Sequence, residues 1–105
     1  MNDTLVIYPH ALNHGVTDKE IEYAWKHYIL STEREPNEFG EIRIVRIGPR
    51  NQYARIDGEP TKDYADFVGI VAVRKDYGYL IVHAKIPPID SIIDEIARAR
   101  KSEQW

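Results

Sequence analysis

The stretch Tyr79 to Ile86, reading Tyr-Leu-Ile-Val-His-Ala-Lys-Ile between Gly78 and Pro87-Pro88, constrains the fold more than any other part of the chain. A run this apolar and β-branched, closed at both ends by turn residues, predicts a strand, and its apolarity on both sides predicts a central one. At period two, Leu80, Val82, Ala84 and Ile86 share one face, and Tyr79, Ile81, His83 and Lys85 share the other. An imidazole and an ammonium two residues apart on such a strand need either a route to solvent at a cleft rim or an anion. A ligand is one source of that anion.

The other elements follow from the same reasoning. Thr4 to Tyr8 is a short apolar run stopped by Pro9 and reads as a first strand. Val16 to Leu30 reads as a helix: Thr17 is an N-cap, Glu20 at N3 completes a capping box, and Val16 with Ile21 forms a hydrophobic staple. Ile21, Ala24, Trp25 and Tyr28 recur at helical spacing and mark the packed face, leaving Glu22, Lys26 and His27 outward. Ser31 to Gly40 is polar, broken by Pro36, and reads as a loop. Glu41 to Ile47 alternates, with Ile42, Ile44 and Arg46 on one face and Arg43, Val45 and Ile47 on the other. Gly48-Pro49-Arg50-Asn51 suggests a hairpin turn with Gln52 to Ile56 as its return strand, and Asp57 to Asp66 is a polar connection. Phe67 to Arg74 is a continuous apolar strand, and Lys75 to Gly78 turns the chain into the stretch described above. After the two prolines, Ile89, Ile92, Ile93 and Ile96 at helical spacing, with acids early and Arg98, Arg100 and Lys101 late, predict a terminal helix. The expected architecture is a single α+β domain spanning residues 1 to 105: a mostly antiparallel sheet of three to five strands with an N-terminal and a C-terminal helix on one face. The other face is expected to be open and to carry Arg46, Arg55, His83 and Lys85.

Charge and composition narrow the function. With 14 Lys and Arg against 17 Asp and Glu, the net charge is −3, which argues against bulk electrostatic gripping of nucleic acid. Arg43, Arg46, Arg50 and Arg55, however, follow one another with no acid between them, while the acidic excess concentrates in residues 17 to 41. A basic patch on an acidic body is therefore compatible with the sequence. The absence of cysteine excludes a disulfide framework and a thiolate metal site. No basic leader and no long apolar run is present, so the expectation is a cytoplasmic protein with no membrane partner. His10 and His14 at spacing four are compatible with metal binding, but no third ligand lies near them in sequence, and no metal or cofactor is expected.

No Ser-His-Asp order, Gly-rich phosphate loop or HExxH motif supports acyl transfer, nucleotide hydrolysis or zinc proteolysis. An open sheet face bearing Arg, His and Lys fits phosphodiester recognition and metal-independent cleavage: a cation stabilises the phosphorane charge, His moves the proton, and RNA supplies its own 2′-hydroxyl nucleophile. The competing reading is that these are exposed polar positions of a half-solvated sheet. Tyr53, Tyr64, Tyr77 and Tyr79 are compatible with base stacking or with ordinary packing.

Several motifs together resemble the BrnT-type toxins of bacterial type II toxin-antitoxin modules, small ribonucleases with a RelE-like fold. They are Asn13-His14-Gly15-Val16 leading into the helix with Ala24, Arg46-Ile47-Gly48, Val71-Ala72-Val73, and Leu80-Ile81-Val82-His83-Ala84-Lys85 followed by a terminal helix. The resemblance implies an endoribonuclease toxin that cleaves RNA and is silenced by a small antitoxin, for which a ribbon-helix-helix protein is the expectation. It makes Arg46, His83 and Lys85 the catalytic candidates; beside them, the remaining cations Arg43, Arg50, Arg55 and Arg74, together with Tyr53, are the candidates for RNA contact. Lys85 stands where the family carries an arginine, keeping the charge without the bidentate fork. The chain departs from the family in its acidity and in the length of Asp57 to Asp66. Two other classes fit the residues: a non-catalytic interaction module, and a regulatory domain binding a phosphorylated ligand through its arginines.

Overall fold

The computed structural model of the chain describes residues 4–54 and 65–103. Its elements are β1 (Thr4–Ile7), a 3-10 segment (Pro9–His14), α1 (Asp18–Lys26), β2 (Leu30–Glu33), β3 (Arg43–Pro49), β4 (Phe67–Lys75), β5 (Gly78–Lys85) and α2 (Asp90–Glu103). The strands form one five-stranded sheet in the order β1-β5-β4-β3-β2. The α+β class and the central position of β5, between β1 and β4, agree with the sequence reading.

The sheet is mixed rather than antiparallel throughout, because β1 runs parallel to β5 with Thr4 opposite Gly78 and Ile7 opposite Ile81. Gly78, at φ +140°, makes this possible. It combines a backbone conformation closed to other residues with the absence of a side chain where the Thr4 backbone passes.

The two helices lie on opposite faces, which overturns the expectation of one covered and one open face. Along β4, Val68, Ile70 and Ala72 pack with Ile21 and Ala24 of α1. Their alternate neighbours Phe67 and Val71 pack with Ile92 and Ile96 of α2. The physical reason is in β4 itself: every residue from Phe67 to Val73 is buried, so both sides of the strand need cover. On the α2 side, a Cβ at Gly69 would lie 2.8 Å from Pro88 Cβ, so the entry to α2 rests directly on the strand.

Local signals set the start of α1. Thr17 Oγ1 accepts from Glu20 N at 3.2 Å, and Glu20 Oε1 accepts from Thr17 N at 3.0 Å, forming the expected capping box. The helix ends earlier than periodicity suggests. The Ile29 N–H donates to Ile47 O at 2.9 Å, so the chain enters the sheet and Leu30 to Glu33 pair with Ile47 to Ile44 as a fifth strand. Part of the expected loop from Ser31 is thus β2. The expected return strand from Gln52 is not formed across the described residues: Ala54 N donates to Asn51 O at 3.2 Å in a turn, and β3 takes β4 as its antiparallel partner. Arg55 and Ile56, with the connection as far as Tyr64, lie outside the described residues. Among the described residues no helix is long and apolar enough to cross a membrane.

Candidate functional site

The strand that most constrains the fold departs from strict alternation. The pairing of β4 with β5 steps from Val71 opposite His83 to Ala72 opposite Ile81, leaving Val82 as the extra residue of a bulge. Beyond the bulge the faces exchange. Ala84 packs in the α1 cluster with Ile81, Tyr79 and Ile86, whereas Val82 packs in the α2 cluster. His83, opposite Val71, and Lys85, opposite Gly69, share the α2 face. His83 is half-buried and its Nε2 is shielded from solvent.

Arg46 stands opposite Ile70, on the α1 face. The three catalytic candidates are therefore divided by the sheet: His83 and Lys85 stay together, and Arg46 is on the far side. A single phosphate cannot meet all three in this arrangement.

Arg46 has the most developed surroundings of the candidates. Its Cζ lies 4.0 Å from the ring centroid of Trp25 and 4.0 Å from that of Tyr28, so the guanidinium is sandwiched between two aromatic faces. Nε donates to Ser31 Oγ at 3.2 Å, and Nη1 donates to the Trp25 carbonyl at 3.3 Å. Burial draws the pKa of this guanidinium below its ordinary value, and nearby Tyr28, Tyr79 and Glu33 partly offset the effect. An arginine nevertheless keeps its proton throughout the physiological range. Each stacked ring is worth roughly 0.5–2 kcal/mol depending on desolvation, so the sandwich holds the side chain in one place.

One helix, the turn after it and three strands contribute to this arrangement. α1 brings Trp25, and the turn after it brings Tyr28. β3 brings Arg46 and β2 brings Ser31, directly opposite it. β5 brings Tyr79, whose ring is 4.9 Å from Trp25 and tilted by 55°. Between α1 and the sheet lies a cleft of about 480 Å³ lined by Glu22, Trp25, Lys26, Tyr28, Arg46 and Tyr79. Tyr28 has one face on Arg46 and remains 45% exposed, which leaves a surface on which a flat group can stack.

Four other cations differ from Arg46 in one respect that matters for anion binding, their pairing with carboxylates. Arg34 makes a two-point contact with Glu95, at 2.7 and 2.8 Å. Arg50 contacts Glu20 at 2.7 Å and Asp66 at 3.6 Å, and Arg74 pairs with Glu33. Lys75 lies 3.6 Å from Glu41. Arg46 appears in no ion pair among the described residues. Of the candidates for RNA contact, Arg50 and Arg74 are thus neutralised by carboxylates, Arg43 is exposed at the start of β3, and Arg55 lies outside the described residues. Tyr53, 76% exposed, lines a second cleft of about 380 Å³ with Lys19, Tyr23 and Arg50. The Arg50–Glu20 pair already neutralises one of the two cations of that cleft, Lys19 being the other.

Trp25 and Tyr28 were legible as a helix face but not as a site, since their spacing is equally that of core residues. The available signal was the coincidence of two aromatic residues on that face with an arginine at an inward strand position. No group of three or more His, Cys, Asp or Glu able to hold a metal occurs among the described residues. Compared with family models, curated proteins and solved structures, the chain matches none.

Proposed function

We propose that this protein is an RNA-directed toxin of the kind its sequence resembles, a small ribonuclease restrained by a partner antitoxin, and that RNA engages the Arg46 cleft on the α1 face. The observation that carries the reading is a guanidinium clamped between Trp25 and Tyr28, with no carboxylate paired to it, beside a cleft with further aromatic surface. A phosphodiester supplies the missing anion through charge-assisted hydrogen bonds, and unpaired bases supply flat faces for Tyr28 and Tyr79. In cleavage the RNA 2′-oxygen gives its proton to water and bonds to the adjacent phosphorus, the P–O5′ bond breaks, the 5′-oxygen leaves as a hydroxyl protonated from water, and a 2′,3′-cyclic phosphate remains; Arg46 stabilises the charge that develops on the phosphoryl oxygens. His83 and Lys85 are assigned no contact with that phosphate.

That division of the candidates favours a second reading, in which the protein binds RNA or a protein without cutting it. Both readings meet one experiment. The wild type and Arg46→Ala are induced in a bacterial host, and the purified proteins are incubated with single-stranded RNA, scoring binding and cleavage separately. The proposed function predicts growth inhibition and cleavage by the wild type and loss of both in Arg46→Ala, with Arg46→Lys partly active and thermal unfolding confirming that the variants fold. Binding without cleavage selects the second reading. A wild type that neither slows growth nor binds RNA refutes the proposal.

A further inference from the structure

Resting on the reading of the Arg46 cleft as an RNA site, we infer that the cleft selects guanosine, with Glu22 and Lys26 reading the base. Glu22, Trp25 and Lys26 stand at i, i+3 and i+4 on α1, and all three line the cleft beside Arg46. Neither Glu22 nor Lys26 occurs in any ion pair among the described residues, although their spacing is the one at which such pairs form on helices. The carboxylate and the ammonium are thus both available to a ligand. They stand one helical turn apart, about 5–6 Å between Cβ atoms, which is the scale of a base edge.

The two groups differ in what they accept. An ionised carboxylate has two acceptor oxygens and no donor, and an ammonium has donors only. Among the four bases, guanine alone presents two adjacent donors, N1–H and N2–H₂, followed by an acceptor, O6. The donors match the two oxygens of Glu22, and O6 matches the Lys26 ammonium. Uracil places its single N3–H between two carbonyls, which would face the carboxylate oxygens unfavourably. Adenine and cytosine each offer one amino group beside a ring acceptor. With the base edge on Glu22 and Lys26, its ring falls beside Trp25 and Tyr79, and the adjoining phosphate reaches Arg46. Stacking and phosphate contact contribute affinity for any nucleotide, and the Glu22 pair contributes the choice.

The test is direct binding. In a Trp105→Phe background Trp25 is the sole tryptophan, and its fluorescence is followed as the RNA pentamers UUGUU, UUAUU, UUCUU and UUUUU are added. A two-point base contact predicts UUGUU binding roughly tenfold or more tighter than the other three. Glu22→Gln, an exposed change that leaves the stack around Arg46 intact, should bring all four within about threefold of one another, since a carboxamide accepts at one atom only. Equal binding of the four pentamers by the parent overturns the inference and leaves the RNA reading standing. A guanosine preference that survives Glu22→Gln overturns the role of Glu22. No binding of any pentamer overturns the inference and the RNA reading together.

Discussion

Gly48 sits two residues after Arg46 and faces the backbone of Ala24, the residue before Trp25, so one methyl group there tests the fold and the candidate site at once. A Cβ at Gly48 would lie 2.8 Å from the Ala24 carbonyl carbon and 3.0 Å from its Cα, and closer still to its carbonyl oxygen, where ordinary contact begins at 3.4 Å. The obstacle is main chain within α1, so no rotamer change relieves it, and the helix must recede from β3 by at least ~0.6 Å, the shortfall at the carbonyl carbon. Overpacking of this kind costs about 1–3 kcal/mol. For a domain near 100 residues, at about 4–8 °C per kcal/mol, Gly48→Ala should lower the melting temperature by roughly 5–20 °C. Because α1 carries Trp25 away from Arg46 as it moves, the variant should also shift Trp25 emission at temperatures where it is fully folded, and weaken RNA binding by more than its residual stability explains. Thermal unfolding by circular dichroism and fluorescence in the Trp105→Phe background measure both. A melting temperature within about 2 °C of the parent, with unchanged emission, would refute the close approach of α1 to β3 on which the clamp depends.

Gly78→Ala should release the edge strand: at φ +140° and with Thr4 N 2.6 Å from the added Cβ, it should cost about 1–3 kcal/mol and speed amide exchange at Leu5 to Ile7. Unchanged exchange there would exclude the parallel pairing. Arg34 holds the Glu95 carboxyl below its ordinary value of 4.5, so this contact contributes stability above that pH and loses it as pH falls through the lower folded value. Glu95→Gln should accordingly cost no more than about 1 kcal/mol at neutral pH, both groups being partly exposed, and the gap to the parent in denaturant titrations should close in acid. A gap of constant size from neutral pH into acid contradicts the assignment. Lys85→Ala and His83→Ala should leave pentamer affinity within about twofold, because the sheet separates them from Arg46, and a tenfold loss in a variant with normal melting would put the RNA path on the α2 face instead.

The parts of this molecule legible in the sequence are those specified locally. Thr17 and Glu20 announce the start of α1 because a capping box is complete within four residues, and the apolar runs of β4 and β5 announce themselves by composition. What escaped depends on partners distant in sequence. The Val82 bulge exists only as a mismatch between β5 and β4, so counting by twos along β5 alone assigns Ala84 to the wrong face. β2, with Ser31, Thr32 and Glu33, has no strand signature of its own and is a strand because β3 lies beside it. The second covered face was recoverable: a strand buried at every position from Phe67 to Val73 already implies a layer on each side. For the candidate site, sequence identified Arg46 as a cation of interest. Its aromatic clamp, assembled by α1, the turn after it and the paired strands, could be found only with the chain folded.

The parallel placement of β1 carries a consequence for synthesis. Position 4 meets position 78, so closing this edge constrains a loop of some seventy residues, an entropic cost of about 4 kcal/mol if the segment is treated as a free chain. On the ribosome, Leu5, Val6 and Ile7 leave the exit tunnel long before their partners are made, and they spend that interval as an unpaired apolar segment while β2 and β3 are already available to each other. Nascent chains stalled before residue 78 should therefore expose residues 4 to 7 to proteases that the finished protein resists, and protection there would show that β1 finds another partner first.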